Sequence, residues 1–275
     1  MNKLLSANFM RLKKSKIFWC CMIFMVILAL IGPIGQYFQA QKYASFEPVI
    51  DGQLFTFIGI VLSTFCGLFL GIEYGDGTIR NKVVVGHKRS SIYLANLITC
   101  IVAGLAMCAA FMLVYVAVGI PLIGTFTLEI KYILLYTGAA LLMSTAFASI
   151  FTMLAMLNQN KAVVAVSCIL FAFISLFAGQ YIQSRLEAPE MYEGYSYTDD
   201  SGELIEFEAT KNPRYLEGAQ REAYEFVHKL LPGDQQVQIG QMTTQKPGEL
   251  MIYSAGMTVV VTAIGMMLFK KKDLK

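Results

Sequence analysis

"EYGDGTIRNKVVVGHKRSS", residues 73–91, stands between two long apolar runs. It packs two acids, four Lys/Arg and three glycines into a connector too short to be a domain. Its flanks decide the fold. Residues 53–72 before it and 92–120 after it contain no Asp, Glu, Lys or Arg, and neither do 17–38, 132–157, 162–183 and 250–269. At about 1.5 Å of rise per residue, each run is long enough to cross roughly 30 Å of hydrocarbon. Charged residues make up only 15% of the 275-residue chain, where soluble proteins carry roughly a quarter. The expectation is an all-α polytopic membrane protein with six transmembrane helices. The basic stretch at 11–16 ahead of the first run has the look of a signal peptide. That run is longer than a signal core and no small-x-small cleavage site follows it, so a retained anchor is expected.

Residues 1–16, 73–91, 158–161 and 270–275 hold 14 of the 22 basic residues and 3 of the 19 acidic ones. Connectors rich in Lys and Arg stay on the cytoplasmic side. The expected topology is therefore N-in and C-in in the cell membrane, with the opening stretch in the cytoplasm. Three regions follow: 1–183, an N-terminal interfacial helix and spans one to five; 184–249, an external insert between spans five and six; and 250–275, span six and a basic cytoplasmic tail.

At the N-terminus, Leu5, Phe9 and Leu12 share one helical face while Lys3, Arg11, Lys13 and Lys14 fall mostly elsewhere. That pattern suits a short helix on the membrane surface; the alternative is a basic lead-in that only sets topology. Gly32-Pro33 is expected to kink or end span one, with Tyr37, Tyr43 and Phe46 as interfacial anchors. Ser63, Gly67 and Gly71 in span two, and Ala140, Ser144 and Ala148 in span four, recur every four residues, which lets helices approach closely in lipid. The insert carries 6 basic and 13 acidic residues. Tyr195-Ser196-Tyr197, the turn Asp199-Asp200-Ser201-Gly202, and Leu204, Ile205 and Phe207 read as a hairpin. Leu216, Ala219, Ala223, Phe226, Val227 and Leu230 follow helical spacing up to a stop at Pro232-Gly233. A small folded cap and a loop without its own core are both open on this pattern.

The span interiors hold no Asp, Glu, Lys, Arg or His, and the two histidines, His87 and His228, lie outside the spans on opposite sides. A proton-coupled carrier or intramembrane enzyme generally needs such groups at membrane depth. All six cysteines lie in the apolar runs, where they read as packing residues, and no Cys/His cluster has metal-ligand spacing. No phosphate-binding loop occurs. The chain is thus expected to be no enzyme, with no metal and no cofactor of its own; energy for any solute movement would come from another chain.

Against that background the opening stretch acquires a meaning. Gly75 and Gly77 permit a sharp turn where span two ends, Asp76 or Thr78 can cap a following helix, and Ile79, Val83 and Gly86 form one face. Arg80, Lys82, Lys88 and Arg89 make its outside positive. An ordinary positive-inside loop would share the charge but not the order of acid, turn, cap and helix.

The pattern Glu73…Gly77-Thr78-Ile79-Arg80-Asn81-Lys82…Gly86…Arg89, followed by Ile92-Tyr93-Leu94, resembles the permease subunits of the ATP-binding-cassette type-2 transporter family, of bacterial exporter type. The basic N-terminal helix, six spans, external insert and the end Phe269-Lys270-Lys271-Lys272-Asp273-Leu274-Lys275 extend the resemblance along the chain. It implies two ATPase subunits that bind ATP and Mg, a second permease copy or homologue, and contact with membrane lipids, with no nucleic acid. It also implies a coupling helix, with Glu73 fixing the end of span two, Gly75, Asp76 and Gly77 forming the turn, and Thr78, Ile79, Arg80, Asn81 and Lys82 docking on the ATPase. Leu5, Phe9, Arg11 and Leu12 would be a second contact, and Phe65, Phe69, Phe173 and Phe177 candidates for a substrate path near the dimer axis. The expected function is ATP-driven export of an amphipathic substrate: an antimicrobial peptide, a drug or a lipid-like molecule. The alternatives are a membrane sensor or regulator coupling the insert to a cytoplasmic partner, and a scaffold subunit.

Overall fold

The computed structural model describes residues 1–43, 53–124, 129–198, 204–244 and 246–273. Phe46 and the turn at 199–202 lie outside the described residues. Among the described residues six helices are long and apolar enough to cross a membrane: α2 (Lys16–Lys42), α3 (Ile58–Gly75), α5 (Arg89–Ile123), α6 (Ile130–Leu157), α7 (Lys161–Leu186) and α10 (Pro247–Lys271). A 3-10 turn, Gln53–Phe57, leads into α3. The shorter helices are α1 (Asn2–Lys14), α4 (Thr78–Val84), α8 (Gly218–Leu230) and α9 (Pro232–Gln241).

α1 and the last turn of α10 sit at one end of the bundle. Arg89 at the start of α5 donates to the carbonyl of Lys270 at 3.0 Å, and Lys272 Nζ to that of Met156 at 3.3 Å. The segment 184–249 lies at the opposite, insert end. The small residues expected to bring helices together do so. A side chain at Gly67 would press on the backbone of Ala165, and one at Gly71 on Lys161, so α3 and α7 cross closely. On α6, Ala140, Ser144 and Ala148 are all buried, with Gly104 of α5 against Ser144. Phe65, Met143, Phe147, Phe151 and Cys168 belong to the core between them. α7 follows α6 after the short turn 158–160, its first amides capped by the Asn160 side chain, and it packs most widely on α3.

Pro33 neither ends nor replaces span one. α2 continues through it to Lys42, and the ring lies against Gly119 of α5. With no side chain on that neighbour, the proline is accommodated as a packing element rather than a stop.

In the insert the expected hairpin is present: β2 (Tyr195–Thr198) pairs antiparallel with β3 (Leu204–Phe207), in register Tyr195↔Phe207 and Thr198↔Leu204. β1 (Met191–Tyr192) and β4 (Thr210–Lys211) pair at its base. The expected helix forms as α8, but its apolar stripe does not make a cap core. No α8 residue is buried, and Phe226 only meets Tyr253 edge-on at 6.4 Å.

Pro232-Gly233 does more than stop α8. Proline suits the first turn of a helix, where its missing N–H costs nothing, and a new helix, α9, starts there. Residues 232–240 of α9 are all buried although Asp234, Gln235, Gln236 and Gln238 are polar. Two glycines make the seat. A Cβ on Gly233 would overlap the Ser175 carbonyl of α7, and one on Gly179 would meet the Asp234 backbone. The Gly233 amide donates to Ser175 Oγ at 2.9 Å, and Ser254 Oγ of α10 donates to Gln235. α9 is therefore a polar wedge driven between α6, α7, α10 and the turn before α3.

Candidate coupling site

At the termini end, α3 stops at Gly75 because Gly77 turns the chain in the left-handed region, φ 66°, which a residue without a Cβ adopts at no steric cost. α4 then runs for seven residues. Neither Asp76 nor Thr78 caps it as expected: among the described residues the α4 N-terminus has no side-chain cap, and the Thr78 hydroxyl donates back to the Glu73 carbonyl at 2.8 Å. That bond locks the turn instead.

Glu73, expected to fix the end of span two, lies inside the bundle. It is 1% exposed, and its carboxylate is the hub of a polar network linking four helices. Oε1 accepts from Lys82 Nζ of α4 at 2.6 Å and pairs with the Arg11 guanidinium of α1. Oε2 accepts from Asn96 Nδ2 of α5 at 2.8 Å. Asn96 Oδ1 in turn accepts from Asn8 Nδ2 of α1 at 2.7 Å, and Asn8 Oδ1 from Lys82 Nζ at 3.3 Å. Asn8, Asn96, Glu73 and Lys82 thus close a ring. Arg11 completes it from one side, its guanidinium 3.8 Å from the centre of the Phe69 ring. A buried carboxylate is tolerable only when paired and fully hydrogen-bonded, and these partners supply that.

Beside the ring lies an apolar cluster. Ile79, 1% exposed, joins Leu4, Ile92, Tyr93 and Phe269, so α4 is seated on α1, α5 and α10. Tyr74 reinforces the floor by donating to the Met156 carbonyl at 2.5 Å, with Lys272 Nζ 4.9 Å above its ring. Polar and apolar contacts together make α4 a rigid extension of the bundle. Its outer face is a different surface: Arg80 and Asn81 are exposed, as are Val84 and Val85 at 78% each. Two valines offered to solvent beside Arg80 and Lys88 suit a protein partner better than water.

The structure redistributes the expected residues. Gly75, Asp76 and Gly77 form the turn, and Ile79 faces inward as its spacing implied. Lys82 turns into the ring rather than outward. On α1 the inward row is Leu4, Asn8 and Leu12, with Arg11 beside it; Leu5 and Phe9 are half-buried at its edge. α1 is therefore part of the bundle and not only a surface helix. Phe65 and Phe69 are sealed in the core, stacked at 5.0 Å, while Phe173 and Phe177 stack at 6.3 Å on the exposed face of α7. The two pairs share no surface within the protomer. Asn8 and Asn96 were not among the expected residues. The signal was a single amide in each of two otherwise apolar helical faces. Among the described residues no group of three or more His, Cys, Asp or Glu could hold a metal ion.

No curated protein matches the chain closely enough to be compared with it. The model for the ABC-2 family transporter proteins matches residues 4–179, a stretch that contains the ring, α4 and most of α1 and α7 and covers more than half of the chain. The chain belongs to that family, the membrane-embedded transporter subunits that associate with an ABC ATPase.

Proposed function

We propose that the chain is the permease subunit of an ATP-driven exporter, moving an amphipathic substrate such as an antimicrobial peptide, a drug or a lipid-like molecule across the cytoplasmic membrane. Both termini and α4 face the cytoplasm. Two ATPase subunits bind ATP and Mg and carry out all the catalysis, and a second permease, identical or similar, completes the membrane part. The carrying observation is α4 itself: an exposed face of Arg80, Asn81, Val84 and Val85 on a helix whose opposite face is anchored by Ile79 and the Glu73 ring. A docking helix must be both exposed and stiffly tied to the spans it moves. When the ATPases close, displacement of α4 passes through Lys82 and Glu73 to α3, α5 and α1 together, a rigid-body shift of the kind that switches access.

The test is purification of the tagged chain from its native membrane in mild detergent. A stoichiometric ATPase bearing a phosphate loop is expected, and the paired change Val84→Glu and Val85→Glu should release it while leaving membrane insertion intact. A chain that carries no ATPase, or one whose ATPase ignores both valines, overturns the reading.

A further inference from the structure

At the insert end, the last turn of α7, the first turn of α10 and helices α8 and α9 line a half-open cavity of about 350 Å³, within the range of small-ligand pockets. Its walls carry opposite charge. On one side Lys229 Nζ and Lys246 Nζ share a single carboxylate, Glu249, at 3.0 and 3.2 Å. Both Glu249 oxygens are thereby engaged, while each ammonium has three N–H donors. This wall is left with one positive charge in excess and donors to spare.

Glu187 also lines the cavity. Among the described residues it has no ion-pair partner and accepts only from Gln183 Nε2, at 2.8 Å. Gln183 is 5% exposed and spends its other N–H on Gln241 at 2.6 Å. Its carbonyl oxygen is buried with no donor, and an unpaired buried acceptor is costly enough to call for a partner. His228, also on the cavity wall, is engaged with Asp234 at 2.9 Å. Gln238, Thr243 and Thr244 add polar lining, and Leu186 and Leu250 line it where the apolar helices α7 and α10 terminate, which suits a ligand held by a membrane.

The geometry points to a binding site for a zwitterion with a primary ammonium and an anionic group: the phosphoethanolamine headgroup of a surrounding lipid. The ammonium donates to Glu187 and to Gln183 Oε1, and the phosphate accepts from Lys229 and Lys246. A trimethylated ammonium has no N–H to give, and a glycerol headgroup has no cation for Glu187, so phosphocholine and phosphoglycerol lipids are disfavoured. The inference does not rest on the transport reading.

The experiment is native mass spectrometry of the purified full chain with phosphatidylethanolamine, phosphatidylcholine and phosphatidylglycerol of matched acyl chains, read as bound lipid per protein. The expected result is at least tenfold greater retention of the ethanolamine lipid. That preference should be lost in Glu187→Gln and in Lys229→Gln combined with Lys246→Gln, both checked for unchanged elution and thermal midpoint. Free O-phosphoethanolamine, added as competitor, separates the sources: a lipid that stays bound against it assigns the site to the membrane. Free compound that binds while no lipid is preferred overturns the lipid assignment. Equal retention of all three lipids, or a preference that survives every substitution, overturns the site. The site shares no residue with α4 or the Glu73 ring, so neither failure bears on the exporter reading.

Discussion

Replacing Glu73 by Gln keeps the shape of the hub and removes its charge. In the native protein the carboxylate, 1% exposed, receives hydrogen bonds from two cations, Arg11 and Lys82, and hydrogen bonds to charged groups contribute about 1.5–3 kcal/mol each. Two considerations lower the sum. The Arg11 and Lys82 side chains are 31% and 18% exposed, so water recovers part of what they lose, and Gln can still accept one bond. Removing the desolvated carboxylate also relieves a cost. The net loss is about 2–3 kcal/mol, which for a chain of this size lowers the unfolding midpoint by roughly 4–10 °C. Detergent-solubilised membrane proteins rarely unfold reversibly, so the assay is the operational midpoint from fluorescence-detected gel filtration after heating. A cycle adds specificity: Lys82→Met should cost about 1–2 kcal/mol less in the Glu73→Gln background than alone, because the partner is already gone. A Glu73→Gln midpoint within about 1 °C of wild type, or additive effects in the cycle, would refute the idea that the ring holds the four helices together.

Two further predictions concern the wedge. Gly233→Ala forces a methyl into the Ser175 carbonyl and should cost about 1–3 kcal/mol by overpacking, with new protease sensitivity across 204–244. Gly248→Ala, where nothing lies within 4 Å, is the matched control and should be neutral or slightly stabilising. Asp234 predicts a pH dependence. Burial raises its carboxyl above the usual value of 3.8, outweighing the lowering by His228 and Gln238. The native state therefore holds this proton more tightly than the unfolded chain does, and the associated stability is present below about pH 3.8 and fades as pH climbs through the raised native value. Asp234→Asn abolishes that fading, so midpoints measured stepwise from about pH 4 to 7 should show its difference from wild type changing with pH in the variant's favour. A constant difference would contradict the buried-acid account.

Periodicity and hydropathy are local properties, and what they govern was legible. The six spans, the Tyr195–Thr198 and Leu204–Phe207 hairpin, the helix ending at Leu230 and the close-packing small residues of α3 and α6 all follow from residues within a few turns of one another. The ring was harder to read because its bonds are not local: Asn8 and Asn96 meet across 88 positions, and one asparagine in an apolar helix does not announce its partner. Lys82 looked like surface charge because the negative charge that turns it inward sits nine residues earlier, beyond a reversal of the chain. Pro232-Gly233 was legible as punctuation, but the pair both ends one helix and begins the next. The seat that buries α9 belongs to Gly179 on another span. Exposed Val84 and Val85 carried no periodic signal, since no described part of this chain covers them.

The wedge also constrains how the protein is made. A ten-residue helix with one aspartate and four glutamines spans roughly 15 Å and has no claim to hydrocarbon on its own, so the insertion machinery has no reason to recognise it. Its groove does not exist until α7 and the start of α10 lie side by side with α6 and the turn before α3. The packing therefore implies an order, assembly of the apolar helices first and capture of α9 afterwards. Before that capture, Ser175 and Ser254 line an open notch without the partners that α9 brings them. Seating of α9 closes that notch, and it can do so only after four separate spans have found one another.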